Sequence, residues 1–203
     1  MKKRSGFQKL GIVISGWPAV GKTTVAREMA REFGLKLYNG GDILKMIAKE
    51  KGYSITGMDW WDTDDAKKFM AERKANLFFD KKVDEALLKI MDKENAVITS
   101  YTLPWLVNRP FLFKIWLKGS ENNRAQRMAD RDGIRLDAAQ RIIKVRDSEN
   151  KVIYRNLYGF DFGSDLTVFD FFLNTDLINL KSLIEISIST IKHILSDSKT
   201  HCI

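Results

Sequence analysis

Apolar and polar residues follow one another along the chain in blocks that predict strands and helices in alternation. The first block is a run of three β-forming residues, Ile12 to Ile14. A glycine-rich segment follows it, and then apolar residues at helical spacing that stop at Gly34. Strand-like runs recur at 35–38, 96–99, 112–117 and 168–173. Helical spacing recurs in stretches that include residues 43–48, 66–70, 83–91, 120–132, 136–157 and 177–191.

The segment between the first strand and the first helix carries the most specific chemical signal in the chain. It fits the pattern G-x-x-x-x-G-K-[ST], in which glycines let backbone N–H groups surround phosphate oxygens at a helix N-terminus. Lys22 is expected to reach the β- and γ-phosphates of ATP, and the Thr23 hydroxyl is expected to hold Mg²⁺. The alternative is a glycine-rich turn before an ordinary helix, but the flanking strand and helix both favour a phosphate loop. The residues expected to bind the nucleotide are Gly16, Trp17, Pro18, Ala19, Val20, Gly21, Lys22, Thr23 and Thr24.

The order of the blocks predicts the fold. Strands that alternate with helices favour a parallel sheet with right-handed crossovers. Five strands, with the phosphate loop after the first, predict an α/β fold of three layers: a P-loop NTPase fold with strand order 2-3-1-4-5 and ligands at the carboxyl ends of the strands. We expect a single domain over residues 1–203, with a surface loop at 53–65, an irregular segment at 100–104 and a disordered tail from Ser196.

Composition narrows the class of protein. The 44% apolar content is enough for one core, and the formal charge of +8 favours anionic partners, either nucleotides or nucleic acid. The single cysteine, Cys202, cannot form an internal disulfide, which is typical of a reducing cytoplasm. The first apolar run ends at Ser15 and is too short for a signal peptide or a membrane span. We therefore expect a cytoplasmic protein without membrane contact, and we expect it to be a monomer.

Several motifs together make the sequence resemble a nucleoside monophosphate kinase, and in particular the archaeal-type cytidylate kinases. They are the phosphate loop, Gly41-Asp42, an arginine-bearing helix, and Tyr154 with Tyr158-Gly159. The resemblance covers most of residues 10–176. It implies transfer of the ATP γ-phosphate to CMP or dCMP with Mg²⁺ as cofactor. It also implies a lobe that binds the nucleoside monophosphate at about 40–93 and a short mobile lid at about 120–157.

The resemblance puts the monophosphate beside a turn that ends in Gly-Asp and the helix after it. Gly41 and Asp42 match that turn, and Lys45 stands where relatives usually carry an arginine. Asp42 and Lys45 are one helical turn apart, so both can face one pocket. Two simpler interpretations stay open. Asp42 can cap the helix, alone or in addition to binding substrate, and Lys45 can be a solvated surface residue.

Arg124, Arg127 and Arg131 match the family's R-x-x-R-x-x-x-R run at the lid. Their offsets put all three on one helix face, where they can converge on a triphosphate. Arg146 matches a further arginine of the family. The resemblance implies that these four arginines and Lys22 are catalytic. For the run itself, a solvated helix with surface ion pairs is the alternative.

The sequence departs from the family at two places. Ile153 stands where an arginine commonly precedes the tyrosine that matches Tyr154. The segment 99–102, after the third strand, lacks the acidic residue and the arginine that many relatives have there. Contact with the acceptor phosphate then has to come from elsewhere, and the candidates are Lys45, Arg73 and Arg109. The candidates for holding metal-bound water are Asp42, Asp62, Asp64 and Asp65.

Two adjacent indoles, Trp60 and Trp61, stand among acidic residues that include Asp59 and Asp62. One hypothesis is that an indole stacks on the acceptor base while a carboxylate reads the amino group of the base. The other is that the pair pins a long loop onto the body of the protein. The sequence does not decide between these two hypotheses.

The predicted function is phosphoryl transfer from ATP to a nucleoside monophosphate, in which the protein supplies positioning and charge stabilisation. An adenylate or uridylate kinase, or a small-molecule kinase on the same fold, is the first alternative. The positive charge suggests a second, a P-loop regulator that binds RNA or DNA, but the chain lacks the aromatic and basic interleaving of such proteins. A third is an ATP-binding interaction protein without catalysis, which the missing acid and arginine suggest.

Overall fold

A computed structural model describes residues 9–55, 60 and 63–200, with side chains to residue 196. Its centre is a parallel sheet of five strands in the order β2-β3-β1-β4-β5, so the predicted α/β P-loop fold is confirmed. Ile12 pairs with Val97 on one side and with Phe113 on the other. The strands are β1 (Gly11–Gly16), β2 (Lys36–Asn39), β3 (Ala96–Thr99), β4 (Leu112–Lys118) and β5 (Phe171–Asn174).

Eight helices surround the sheet in the described part of the chain. The first follows the phosphate loop, three lie between β2 and β3, and two lie between β4 and β5. They are α1 (Lys22–Phe33), α2 (Gly40–Glu50), α3 (Asp64–Ala75), α4 (Phe78–Lys93), α5 (Leu103–Leu106), α6 (Glu121–Asp132), α7 (Leu136–Tyr158) and α8 (Leu180–Thr200). None of the helices in the described ranges is long and apolar enough to cross a membrane.

Helices cover both faces of the sheet. Successive residues of a strand point to opposite faces, and because both faces are covered, the six residues of β1 are all buried. Ile12 and Ile14 pack against α1 and α8, whereas Val13 packs against apolar residues of α4. The sheet is therefore the middle of three layers, and the carboxyl end of β1 opens into the phosphate loop.

The second helix begins earlier than the sequence predicts. Asn39 is its N-cap residue and Gly40 its first residue, so Asp42 lies inside the first turn and the prediction that it caps the helix is wrong. The Asn39 side chain instead donates to the Asp42 carboxylate at 2.9 Å. An acidic side chain is favourable at this position too, because it faces the positive end of the helix dipole.

Three other boundaries differ from the prediction. Strand β5 begins at Phe171, because the segment 168–170 bends before the chain joins the sheet. The segment predicted to be irregular, 100–104, runs into the first two residues of α5, a single helical turn. Helix α8 continues to Thr200, so its backbone is helical where a disordered tail was expected from Ser196. Leu177, the first apolar residue of the predicted helix, lies before α8 and is 83% exposed, whereas Leu183 and Ile191 of α8 are buried against the core. Cys202 lies outside the described residues.

Helices α2 to α4 have a small apolar core of their own. Leu44 and Ile47 of α2 pack with Phe69 of α3, Phe79 of α4 and the fully buried Trp60. For Trp60 the structure therefore favours the hypothesis that the indole pins a loop onto the body, and it corrects the expectation of a loop lying wholly on the surface. Trp61, Asp59 and Asp62 lie outside the described residues. The assignment of 40–93 as a substrate lobe and of 120–157 as a lid stays a prediction.

Candidate active site

The phosphate loop is held in its shape by backbone conformations that favour glycine. Gly16 has φ +142° and Gly21 has φ +100°. A Cβ on Gly16 would lie 2.4 Å from the Leu117 carbonyl oxygen, so this position also needs glycine for space. Gly21 is the N-cap residue of α1, and no side chain caps that helix. The first N–H groups of α1 are therefore open to an anionic ligand.

Lys22 folds back over its own loop. Its Nζ donates to the carbonyl oxygens of Gly16 and Trp17, each at 2.8 Å, and it lies 4.6 Å from the centre of the Tyr101 ring. Burial, together with the nearby charge of Arg124, lowers the pKa of Lys22 to about 7, and Asp147 opposes that change. The side chains of Thr23 and Thr24, in the first turn of α1, are exposed.

Arg124 is the best-anchored of the predicted catalytic arginines. It is buried, and its guanidinium donates to both oxygens of Asp147 at 3.1 and 2.7 Å. Nη1 also donates to the Pro18 carbonyl oxygen at 3.2 Å. Arg124 therefore joins α6, α7 and the phosphate loop. A bidentate pair of this kind fixes the plane of the guanidinium as well as its position.

The other three arginines have separate surroundings. Arg127 donates to the side-chain oxygen of Thr175 at 3.0 Å and to its carbonyl oxygen at 2.6 Å. Arg131 is exposed and pairs with its neighbour Asp132. Arg146 is half-buried, and its charge opposes the rise in the pKa of Tyr101 that burial causes. The structure thus brings Lys22, Arg124 and Arg146 together around Tyr101 and Asp147, whereas Arg127 and Arg131 contact groups elsewhere. The catalytic roles of all five residues stay predictions.

The predicted acceptor turn is tied to the end of β3. Thr99 donates to the Asn39 side chain at 3.0 Å, and Asn39 in turn donates to Asp42. Gly41 and Asp42 are exposed, and Lys45 is half-buried. The turn therefore lies beside the carboxyl end of the sheet, where an α/β fold binds its ligands. Substrate binding by Gly41, Asp42 and Lys45 stays a prediction.

A buried polar network lies between α3, α4 and α7, and sequence reasoning missed it. Arg73 donates to both oxygens of Asp80, at 2.8 and 2.6 Å, and to the Tyr154 hydroxyl at 3.1 Å. Arg73, Asp80 and the neighbouring Asp84 are each no more than 6% exposed. The available signal was the spacing of Asp80 and Asp84, which puts two carboxylates on the side of α4 that also carries Leu87.

Asp84 brings a carboxylate to the segment after β3, which has none of its own. It accepts from the Tyr158 hydroxyl at 2.6 Å and from the Thr102 hydroxyl. Burial raises the pKa of Asp84 to about 6, although the hydrogen bonds from Thr102 and Tyr158 act in the opposite direction. Burial and the Asp84 carboxylate both raise the pKa of Tyr158.

Two of the three candidates for the acceptor phosphate are in unsuitable places. Arg73 is committed to Asp80, and its guanidinium is buried. Arg109 lies near Gly11, at the opposite end of β1 from the phosphate loop, so it is not positioned for this role. Of the carboxylates considered for metal-bound water, Asp64 pairs with Lys67 and Asp65 accepts from the Ser54 N–H. Lys45 and Asp42 remain at the predicted turn.

A parallel sheet in this order, with a phosphate loop after β1, is the P-loop NTPase fold, and solved structures agree on the fold. An uncharacterised protein from Eubacterium ventriosum superposes with a TM-score of 0.61 at 21% identity, covering 91% of this chain and 99% of the other. A shikimate kinase from Bacteroides thetaiotaomicron gives a TM-score of 0.55 at 16% identity, covering 92% and 98%. At these identities the likeness concerns the fold alone.

Sequence comparison identifies the family. The model of the cytidylate kinase-like family matches residues 11–177. A cytidylate kinase from Pyrobaculum calidifontis is 35% identical over 181 residues, which covers 89% of this chain and 91% of the relative. A cytidylate kinase from Pyrococcus horikoshii is 32% identical, covering 92% and 90%. The chain belongs to the cytidylate kinase-like family.

Proposed function

We propose that this protein is an ATP-dependent kinase that transfers the γ-phosphate of ATP to CMP or dCMP. The observation that carries the proposal is a complete phosphate loop, with Lys22 at its end, in a chain that belongs to the cytidylate kinase-like family. Relatives named cytidylate kinase match nearly the whole chain, which supports the choice of acceptor.

The donor nucleotide binds at the phosphate loop in this proposal. The open N–H groups of α1 and the loop donate to the phosphate oxygens, and Lys22 leaves its two carbonyl partners to reach the phosphates. Loss of the two carbonyl hydrogen bonds is offset by charge-assisted contacts with phosphate oxygens. Arg124 is already ordered beside the loop by Asp147, so little side-chain freedom is lost when ligand binds.

The residues present fit Mg²⁺, provided that the nucleotide supplies most of its ligands. Among residues 9–55, 60 and 63–196, no group of three or more acidic, histidine or cysteine side chains is placed to hold a metal ion. The exposed Thr23 hydroxyl is the protein group that would hold it, and oxygen ligands suit this hard cation. When bound, Mg²⁺ neutralises charge on the phosphate oxygens.

The acceptor is already an anionic phosphate oxygen, so the reaction needs no general base. The acceptor site is proposed to lie between the turn at Gly41-Asp42 with Lys45 and the carboxyl end of β3. Arg127, Arg131 and Arg146 are proposed to close over the transferring group and to exclude water, which would otherwise hydrolyse ATP. We further propose that the enzyme is a cytoplasmic monomer that acts on small molecules rather than on nucleic acid.

The test is ATP consumption with AMP, CMP, dCMP, UMP and GMP offered one at a time. We expect CMP or dCMP to give the highest kcat/KM. A strong preference for AMP would show that the protein is an adenylate kinase and that the cytidylate assignment is wrong. Background hydrolysis with every acceptor, together with salt-sensitive RNA binding, would support the nucleic-acid regulator instead. Nucleotide binding without turnover would support an inactive interaction protein.

A further inference from the structure

The second residue of the phosphate loop, Trp17, is packed into the body of the protein. Its indole packs edge-on against the rings of Phe162 and Trp116, and the distances between ring centres are 4.8 and 6.2 Å. The charged groups of Lys151 and Arg124 lie 5.4 and 5.8 Å from the indole. Phe162 and Trp116 belong to a buried aromatic cluster that also holds Tyr154 of α7. Trp17 therefore ties the loop to a rigid part of the structure.

Gly163 lies directly against this indole. Its φ is +83°, and a Cβ at this position would lie 2.1 Å from Cζ2 of Trp17 and 2.8 Å from Cε2. Real Cβ atoms do not approach other atoms so closely, so any larger residue at 163 would have to displace the indole. Glycine is thus required twice, once by the backbone conformation and once by the ring.

We propose that the Trp17 side chain is a positioning residue for the ATP site, anchoring the phosphate loop to residues 162–163 through the space that Gly163 leaves. The inference rests on the proposed kinase function and adds a role for a side chain that touches no phosphate group in that function.

The backbone around Trp17 explains why an anchor matters there. The Trp17 carbonyl oxygen accepts from Lys22, and the next carbonyl, of Pro18, accepts from Arg124. Lys22 must leave its two loop carbonyls when it reaches phosphate, so that restraint is lost in the working complex. The contact between the indole and residues 162–163 does not depend on Lys22, and it continues to hold the loop. Small displacements of groups that position a reacting ligand are costly in rate and affinity.

The chain supplies a matched control for testing this contact. Gly159 has φ +77°, close to that of Gly163, but a Cβ there would meet no atom within 4 Å. Gly159→Ala and Gly163→Ala therefore impose similar backbone strain, and only the second pushes on Trp17. We expect Gly163→Ala to raise the KM for ATP and the Kd for ADP by at least about tenfold, with the KM for CMP within about threefold of wild type. Gly159→Ala should leave all three within about threefold.

A double-mutant cycle keeps the test decisive if Gly163→Ala folds poorly. Trp17→Ala should itself weaken ADP binding, measured by calorimetry. In the Trp17→Ala background the clash is gone, so adding Gly163→Ala should cost no more than Gly159→Ala does. Equal effects of the two glycine substitutions, an unchanged Kd for ADP in Trp17→Ala, or losses that simply add would each overturn the proposal. ADP binding needs no acceptor, so its outcome is independent of whether CMP is the substrate.

Discussion

Lys22 illustrates how a single side chain can be ordered before its ligand arrives. Its ammonium group has two carbonyl partners and the face of Tyr101, and among the described residues no carboxylate lies within ion-pairing distance of it. Burial beside Arg124 lowers its pKa to about 7, so the charged form is less favoured than in water. A bound polyphosphate would reverse that balance, because a nearby negative charge favours the cation.

We predict that Lys22→Ala and Lys22→Met both abolish transfer. Each variant removes the positive charge that the transferring phosphate requires, and loss of one such electrostatic contact typically costs about 10²–10³-fold or more in kcat. Met preserves apolar contact with the Tyr101 ring, whereas Ala does not. Because both variants lack the charge, the difference between their thermal midpoints measures the packing contribution of the side chain. Steady-state turnover with ATP and CMP is the measurement. Near-normal turnover in either variant would remove Lys22 from the mechanism.

The first strand, the phosphate loop and the end of the first helix could be predicted to within one or two residues, because each has a strong local pattern. The helix period is unambiguous at Val25, Met29 and Ala30, and the glycines mark the loop. Helix α2 was harder, since Asn39 and Asp42 are both residue types that favour the N-cap position. Asn39 occupies that position, but its side chain caps no N–H group and instead bonds to Thr99 of β3 and to Asp42, a tertiary arrangement that local preference does not predict.

The buried network was beyond local reasoning for a related reason. Helix α4 carries many charged residues, and a charged helix normally predicts solvent exposure. Asp80 and Asp84 become buried because other elements lie against them: α3 provides Arg73, and α7 provides Tyr158. Nothing in the sequence of α4 specifies that packing. The same holds for Arg124, whose burial depends on Asp147 of a different helix.

The next prediction concerns Arg127, the middle arginine of the three on α6. If Arg127 leaves Thr175 and meets the γ-phosphate chiefly in the reacting complex, its removal lowers kcat more than ATP affinity. We expect Arg127→Ala to cut kcat at least roughly 10²-fold, with the KM for ATP within about tenfold of wild type. Arg127→Lys should rescue only partly, because lysine lacks the planar pair of donors.

Arg141 supplies the control for that experiment. It lies exposed on α7 and pairs with Asp137, so Arg141→Ala should leave kcat unchanged. Near-normal kcat in Arg127→Ala, with weaker ATP binding, would mean that Arg127 only holds α6 to the loop after β5. The contact with Thr175 would then be its entire role, and the arginine run would have to be described as an ordinary helix face.

Across the whole molecule, α7 joins two parts of the chain that are far apart in sequence. Its C-terminal half meets α3 and α4 through Tyr154 with Arg73, Tyr158 with Asp84, and Glu149 with Lys74. The contact of Arg73 with Tyr154 is buried and that of Tyr158 with Asp84 is partly buried. The second includes a carboxyl group whose pKa is raised, so its effect on stability depends on pH. Removing one partner of such a network is costly because the others are left unsatisfied.

Asp84 determines the sign of that pH dependence. Its pKa is about 6 in the folded protein, against 3.8 for an aspartate side chain in water, so the folded state holds the proton more tightly than the unfolded state. The contribution of Asp84 to stability is therefore most favourable below about pH 4, declines as the pH rises through 4–6, and is constant above 6. The full difference between the folded and unfolded pKa values of Asp84 corresponds to about 3 kcal/mol of lost stability at neutral pH. The groups that face it are Thr102, Tyr158, Asp80 and Arg73.

We predict that the free energy of unfolding of Asp84→Asn, measured relative to that of wild type at the same pH, is higher at pH 7 than at pH 4.5. The amide keeps the size of the carboxyl group and lacks the charge whose burial is unfavourable. Tyr158 and Thr102 donate to different carboxylate oxygens, so in the variant one hydroxyl can donate to the amide oxygen while the other accepts from the amide nitrogen. The measurement is the free energy of unfolding from denaturant titrations at several pH values. Asp137→Asn is the control with opposite sign, because hydrogen bonding to Arg141 lowers the pKa of the half-exposed Asp137. Loss of this carboxylate should cost stability only above the acidic range. If the difference between Asp84→Asn and wild type does not change with pH, Asp84 does not titrate between 4 and 6, and the network would have to hold its carboxylate ionised throughout.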